Sequence, residues 1–285
     1  MSIVVAAFAG EYEQVAAWTG DTVEQLRQQE EYHSEDRPLW LAWDAGRVVG
    51  VMQPWTRPDG HLTLYYDRST PDAYVALAAM ADGECRTTVD AADAEVIAAL
   101  AGAGFAEHRR ESEFEIPVTR FAAPVPAGID LVSAAEIEPE ALMLLDCALR
   151  EDVPGSAGWQ PDLQWFMEET YQSPFFDPET YLVARDVTRD LAQESAGNGG
   201  VTLAGLARVW NGPQPVRRLG LIALLPAYRG KGLAKALLAA VFEPLAARGV
   251  PVVRAEADVT NVPSVSLLTG LGGRVVGGTV EMVRR

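Results

Sequence analysis

The residues best suited to chemistry lie in one run, Leu219-Gly220-Leu221-Ile222-Ala223-Leu224-Leu225-Pro226-Ala227-Tyr228-Arg229-Gly230-Lys231-Gly232-Leu233-Ala234-Lys235-Ala236-Leu237-Leu238. An apolar stretch ends at Pro226, and a short basic turn leads straight into a helical pattern with Leu233, Ala236, Leu237, Ala240 and Val241 on one face. A turn that feeds a helix so directly presents unpaired backbone N–H groups at the positive end of the helix dipole. Gly230 and Gly232 let an anion approach the backbone closely, and Arg229, Lys231 and Lys235 add side-chain charge. That combination suits a phosphate or pyrophosphate. A helix start with glycines for turn geometry and ordinary surface cations would show the same residues. A P-loop is excluded, because Leu225 stands where its first glycine belongs and Leu233 follows Gly232. A dinucleotide fingerprint is excluded too, because Lys235 occupies its third small position and about 50 residues remain for further strands.

Arg229-Gly230-Lys231-Gly232-Leu233-Ala234 resembles the Arg/Gln-x-x-Gly-x-Gly/Ala signature of the GNAT family of N-acetyltransferases. The likeness continues on both sides. Upstream is the apolar strand ending in Leu-Leu-Pro-x-Tyr-Arg-Gly. Downstream, Glu256-Ala257-Asp258-Val259-Thr260-Asn261-Val262-Pro263-Ser264 resembles the family's fifth strand with its following Asn and short helix, and Gly270-Leu271-Gly272-Gly273 resembles that helix's ending. The specific match covers about residues 217–273, and the order of elements extends it across about 129–285. The resemblance implies acetyl-CoA as co-substrate. Its pantetheine arm would pair with the end of the fourth strand at Leu224 and Leu225. Its pyrophosphate would rest on the amides of Arg229, Gly230, Lys231, Gly232, Leu233 and Ala234. Asn261 matches the Asn near the pantetheine arm, and equally suits a cap for the helix that follows.

Two positions depart from the family pattern. Leu268 stands where many members carry the Tyr that protonates the departing thiolate, and leucine donates no proton. The fourth strand, Leu219–Leu225, contains no acid where the usual carboxylate base sits. Glu256 and Asp258, on one face of the fifth strand by period-2 alternation, are the candidate catalytic carboxylates. A solvated strand end, or a salt bridge to Arg254 or Arg217, is the alternative for them. Glu151, Asp152 and Trp159, in the loop after the first helix of this half, are candidates for recognising a cationic amine or for a polar helix connection. No metal site is expected.

These residues need elements to hold them. Thr119–Gly128, with two prolines and a terminal glycine, reads as a linker. The expected domains are therefore 1–118 and 129–285. Each repeats one order: strand, helix pair, three strands, helix, strand, helix, strand. The expected fold class is α+β, two tandem GNAT-like domains, each a mixed, mostly antiparallel sheet flanked by helices. In the second half the elements are expected at Ile129–Val132, Pro139–Arg150, Pro161–Tyr171, Thr180–Arg185, Leu203–Trp210, Arg217–Leu225, Gly232–Ala247, Val252–Ala257, Ser264–Leu271 and Arg274–Val283, with a Gly-rich excursion at Asn198–Gly200. The first half opens with a strand at Ile3–Ala7 and a helical region at Glu11–Tyr32. There Leu62–Tyr66 leads into Asp67-Arg68-Ser69-Thr70-Pro71-Asp72, with no glycine and two acids where an anion would sit. The first domain is thus expected to be a degenerate copy that binds no CoA. Its aromatic residues Trp40, Trp43, Trp55, Tyr65 and Tyr66 are expected mainly in the core.

Composition bounds the rest. Among 285 residues, 40 are acidic and 23 basic, a formal net charge of −17 that disfavours nucleic acid and anionic lipid as partners. Only Lys231 and Lys235 are lysines, and both fall in the chemical segment. No apolar run approaches the roughly 18–20 residues needed to span a bilayer, and the N-terminus reads as mature protein. Cys85 and Cys147 read as free thiols of a cytoplasmic chain. His33, His61 and His108 all precede residue 110, so the second half has no histidine base. The expected activity is transfer of an acetyl group from acetyl-CoA to a primary amine of a small, cationic acceptor, by a monomer or homodimer. A non-catalytic acyl-CoA sensor or interaction module is the other expectation.

Overall fold

The computed structural model describes residues 3–30, 38–188, 202–212 and 216–285. His33 and the Gly-rich excursion at Asn198–Gly200 lie outside them. Two compact units emerge: Met1–Glu111 with Gly277–Arg285, and Ser112–Val276.

The first unit holds β1 (Val4–Ala7), α1 (Tyr12–Thr19), α2 (Val23–Glu30), β2 (Trp40–Asp44), β3 (Arg47–Thr56), β4 (Leu62–Ser69), α3 (Pro71–Ala78), β5 (Cys85–Asp90), α4 (Ala94–Gly102) and the start of β6 (Ala106–Pro117). The helical region expected at Glu11–Tyr32 is broken into two helices because Gly20, at φ +91°, ends the first in the left-handed conformation. The helix expected from Tyr74 starts at Pro71, where Thr70 accepts the Ala73 N–H as its cap. The strands follow β1-β2-β3-β4-β5-β12, antiparallel except for β4 beside β5. Of the aromatic cluster, Trp40 and Tyr66 pack on the core formed by Met52, Leu64, Leu77 and Leu100. Tyr65 is exposed.

The second unit repeats the plan with β7 (Ile129–Ser133), a 3-10 turn (Ala134–Glu136), α5 (Pro139–Arg150), α6 (Leu163–Glu169), β8 (Tyr181–Asp186), β9 (Leu203–Trp210), β10 (Arg217–Leu224), a 3-10 turn (Pro226–Tyr228), α7 (Leu233–Ala247), β11 (Val252–Asp258), α8 (Val262–Gly270) and the start of β12 (Arg274–Arg284). Its sheet runs β6-β11-β10-β9-β8-β7. One face packs under α7 through Leu233, Leu237, Val241, Phe242 and Leu245. The other packs under α5 and α6 through Leu142, Leu145, Leu149 and Phe166. Both units are α+β, mixed and mostly antiparallel.

The division differs at two strands from the one read along the chain. Ser112–Pro117, the end of the first repeat, belongs to the second unit, and Gly277–Arg285, the end of the chain, belongs to the first. The reason is strand pairing: Thr279–Arg284 of β12 pairs antiparallel with Asp90–Cys85 of β5, and β6 lies beside β11. Each repeat gives its last strand to the other. In the first unit buried Glu281 accepts from Arg86 and Arg109, tying β12 to β5 and β6. Residues 119–128 contain no helix or strand.

Candidate active site

The site begins where β10 and β11 part. Their parallel register runs from Arg217↔Val253 to Arg218↔Arg254. Beyond it β10 stays with β9 as far as Leu224↔Gly205, while β11 continues to Asp258. A register shift between Leu219 and Leu221 marks a bulge at Gly220, which bends β10 away from β11. Past the bulge, the inner edges of the two strands face a cleft instead of each other, with main-chain groups that an extended ligand can pair. Gly205 lets this happen. A Cβ there would stand 2.4 Å from Ala223 O and 2.9 Å from Leu224 Cα, so any side chain would displace the end of β10. Sequence reasoning missed Gly205, because an isolated glycine in a strand names no partner.

The turn expected to hold an anion follows directly. Gly230 (φ +73°) and Gly232 (φ +81°) are both left-handed, which only glycine adopts without strain. A Cβ on either would meet nothing within 4 Å, so the space before the turn is open. Gly232 is the N-cap of α7, and no side chain caps the helix. Among the described residues, the backbone hydrogen bonds of the turn stop at Arg229 N–H to Pro226 O and resume at Ala236 N–H to Gly232 O. The amides between have no backbone partner among the described residues and lie at the positive end of a 15-residue helix. An anionic group such as a diphosphate suits this arrangement chemically. The turn is fastened from below by Tyr228, whose buried hydroxyl donates to Asp186 Oδ2 at 2.8 Å, a contact between residues 42 positions apart that no local pattern signals.

The cationic side chains are less free than their sequence suggests. Arg229 donates from Nε to Leu224 O at 2.8 Å and from Nη2 to Asp152 Oδ2 at 2.6 Å. Lys231 Nζ donates to Ala227 O at 2.8 Å and lies over the Tyr228 ring. Lys235 is exposed on the first turn of α7, as are Gly230 and Gly232 before it; Leu233 is buried and Ala234 half-buried. Asn261 caps α8, accepting from Ser264 N–H at 3.2 Å. Leu268 is buried in the core, 2% exposed, so this position is filled by packing and offers no proton donor.

The candidate carboxylates part ways. Glu256 lies on the face of β11 away from α7 and accepts from Arg218 Nε at 3.1 Å, so its ion-pair partner is Arg218 and not Arg254 or Arg217. Arg254 instead pairs with Glu113 and Glu115. Asp258 is buried, and its Oδ1 accepts both the Thr260 N–H (2.8 Å) and hydroxyl (2.5 Å), which closes the turn into α8. In the acceptor loop, Glu151 accepts from Gly158 N–H at 3.0 Å and shapes the loop. Asp152 is committed to Arg229. Trp159 stacks under the Arg150 guanidinium at 4.9 Å and against Trp165. Among the described residues no group of His, Cys, Asp or Glu could hold a metal. No helix of those residues is long and apolar enough to cross a membrane.

The equivalent place in the first unit is built differently. There α3 starts on Thr70, whose side chain caps it, with Pro71 removing a donor and Asp72 adding a negative charge in the first turn. Such a helix start offers an anion fewer free amides and meets it with a negative charge.

Residues 153–272 match the Acetyltransferase (GNAT) family. A mycothiol acetyltransferase from Nocardioides sp. is 32% identical over 108 residues, which is 37% of this chain and 37% of that protein. Across the whole fold, the chain is similar to a GCN5-related N-acetyltransferase from Sphaerobacter thermophilus, with a TM-score of 0.72 at 16% identity over 99% of this chain and 95% of that one. It is also similar to a tandem GNAT protein from the clavulanic acid biosynthesis pathway, with a TM-score of 0.66 at 16% identity over 99% and 98%. The chain thus has a tandem GNAT fold, and its match to the acetyltransferase (GNAT) family covers residues 153–272, which carry the split strands and the glycine turn.

Proposed function

We propose that the protein is an acetyl-CoA-dependent N-acetyltransferase that acetylates a primary amine of a small molecule in a ternary complex. The observation that carries this reading is the cleft between β10 and β11 opening beside an uncapped Gly-x-Gly helix start. The amides from Arg229 to Ala234 hold the pyrophosphate. The main chain of Leu224 pairs with the pantetheine amides, which requires Arg229 Nε to share or release Leu224 O; Leu225, expected to join it, instead gives its N–H to Ala204 O and accepts the Tyr228 N–H. The far end of the arm lies toward the root of the split, where strand amides polarise the thioester carbonyl. Bringing amine and thioester together in one cleft supplies much of the rate.

Of the two carboxylates, Glu256 suits proton acceptance from the amine better, because Asp258 Oδ1 is occupied by Thr260. With Leu268 at the usual acid position, the thiolate leaves to solvent. A missing proton donor costs about 10²–10⁴-fold and leaves chemistry feasible. The first unit binds no CoA and serves as a structural partner that completes its sheet with β12. The strongly acidic surface makes nucleic acid an unsuitable partner. The chain works in the cytoplasm as a monomer or homodimer.

A thiol-release assay against a panel of primary amines tests the reading. Acetyl-CoA-dependent release that needs an amine is expected. CoA binding without turnover of any amine would mark a sensor instead, and absence of CoA binding would remove the reading altogether.

A further inference from the structure

A second polar constellation lies on the α5 face of β8, β9 and β10, and the proposed chemistry does not use it. Tyr181, Arg208 and Leu221 are cross-strand neighbours in one row. Asp146 on α5 sits over the row, 2% exposed, and accepts from Arg208 Nη1 at 3.3 Å and from Arg150 Nε. The Arg208 guanidinium lies against both the Trp210 (4.8 Å) and Tyr181 (5.5 Å) rings, which meet edge-on at 6.4 Å. Arg150 continues the stack onto Trp159 and Trp165.

Three features set the cluster apart from an ordinary buried ion pair. Arg208 is 6% exposed and its Nε makes no hydrogen bond of good geometry, with the Tyr181 hydroxyl, 1% exposed, as the polar group within its reach. The charges do not balance, since two guanidinium groups share one carboxylate. The cluster also abuts the reaction cleft. A Cβ on Gly220 would stand 2.6 Å from Trp210 Nε1 and 3.4 Å from Arg208 Nε, so these side chains lie directly on the bulge that starts the split of β10 from β11. Arg150, Trp159 and Trp210, all half-buried, connect it to the surface. Uncompensated positive charge in a desolvated place suits an anion, and a planar guanidinium fork suits a carboxylate.

We propose that this cluster recognises a carboxylate on the acceptor, so that the substrate class is primary amines bearing a carboxylate, with Arg208 and Arg150 as specificity-determining residues. This rests on the proposed acetyl transfer and narrows its acceptor. It places the carboxylate over the bulge at Gly220 and the amine toward the cleft, with Trp159 and Trp210 flanking the connecting atoms. It also replaces a cationic handle, since Glu151 and Asp152 are already engaged by Gly158 and Arg229.

The test is thiol release from acetyl-CoA with α-, β- and γ-amino acids, each paired with the matching amine that lacks the carboxylate. Tryptophan fluorescence of the CoA-saturated protein is titrated with the same compounds. At least one amino acid should exceed its partner amine about tenfold or more in kcat/KM and quench the fluorescence. Arg150→Gln should erase most of that preference through KM while leaving CoA affinity unchanged. Arg208→Lys, which keeps the charge beside Asp146 but loses the fork, should weaken it in the same way, and the double variant Asp146→Asn/Arg208→Gln removes the buried pair and leaves only half-buried Arg150 without its carboxylate. Decarboxylated amines that react as well as their partners would overturn the proposal. So would CoA binding intact with no amino acid either turned over or bound, or a preference unmoved in all three variants. Failure to bind CoA would instead overturn the acetyl-transfer reading beneath it.

Discussion

Replacing Gly232 by Asp places a carboxylate at the N-cap of α7, in front of the amides assigned to the pyrophosphate. Gly232→Asn is the matched control. Both side chains tolerate the left-handed φ of +81° better than other residues, and a Cβ there meets nothing within 4 Å, so both carry a similar conformational cost of about 1 kcal/mol. The pair differs only in charge. A carboxylate about 5–6 Å from one phosphate charge, at an effective dielectric of about 20, is repelled by about 3 kcal/mol. The second phosphate adds to this, and salt screening at the exposed turn takes some back. The expected result is a Kd for acetyl-CoA about 100-fold weaker in Gly232→Asp than in Gly232→Asn, measured by calorimetry. The gap should narrow as salt is raised. Both variants should unfold at similar temperatures. Equal affinities in the two variants would refute the assignment of the pyrophosphate to this turn.

Gly205→Ala should lower stability and CoA affinity together, because its Cβ would collide with Ala223 O and Leu224 Cα; thermal unfolding and calorimetry on one preparation check this. Restoring the family's tyrosine by Leu268→Tyr should destabilise by about 1–3 kcal/mol through overpacking a 2%-exposed core position, without raising kcat. Glu256→Gln should reduce kcat more than Asp258→Asn does at equal folded fraction, in thiol-release kinetics. Asp177 is penalised by burial, but the hydrogen bond from Arg248 outweighs this and holds its carboxyl below the usual range. A depressed folded pKa contributes stability above the unfolded value of about 3.9 that is lost as pH falls through the folded one. Urea unfolding of Asp177→Asn should therefore show a smaller loss of stability below about pH 4 than wild type.

The second-unit elements were legible because their local signals are strong. Proline at the start of α5, glycine before α7 and the largely apolar runs of β9 and β10 mark their own ends, and Leu203–Trp210 appears as read. The glycine turn was legible for the same reason: φ and dipole chemistry are local. What stayed hidden depends on residues distant in sequence. The exchange of β6 and β12 between units has no local signature, since either strand alternates equally well beside either partner. The Arg208–Asp146 pair spans 62 positions, and an arginine in a strand reads as surface until a carboxylate from α5 is known to cover it. Asp152 and Arg229, 77 positions apart, were read as belonging to acceptor and cofactor respectively, yet they bind each other. Asp258 was legible as an acid on the right strand, but its commitment to Thr260 follows from the turn geometry.

The central claim is that one of two similar units retains the acetyl-CoA site. Calorimetric titration of the full chain with acetyl-CoA tests it most directly through the stoichiometry. The account predicts one molecule bound per chain, with binding lost in Gly232→Asp. Two molecules per chain, or none, would contradict it.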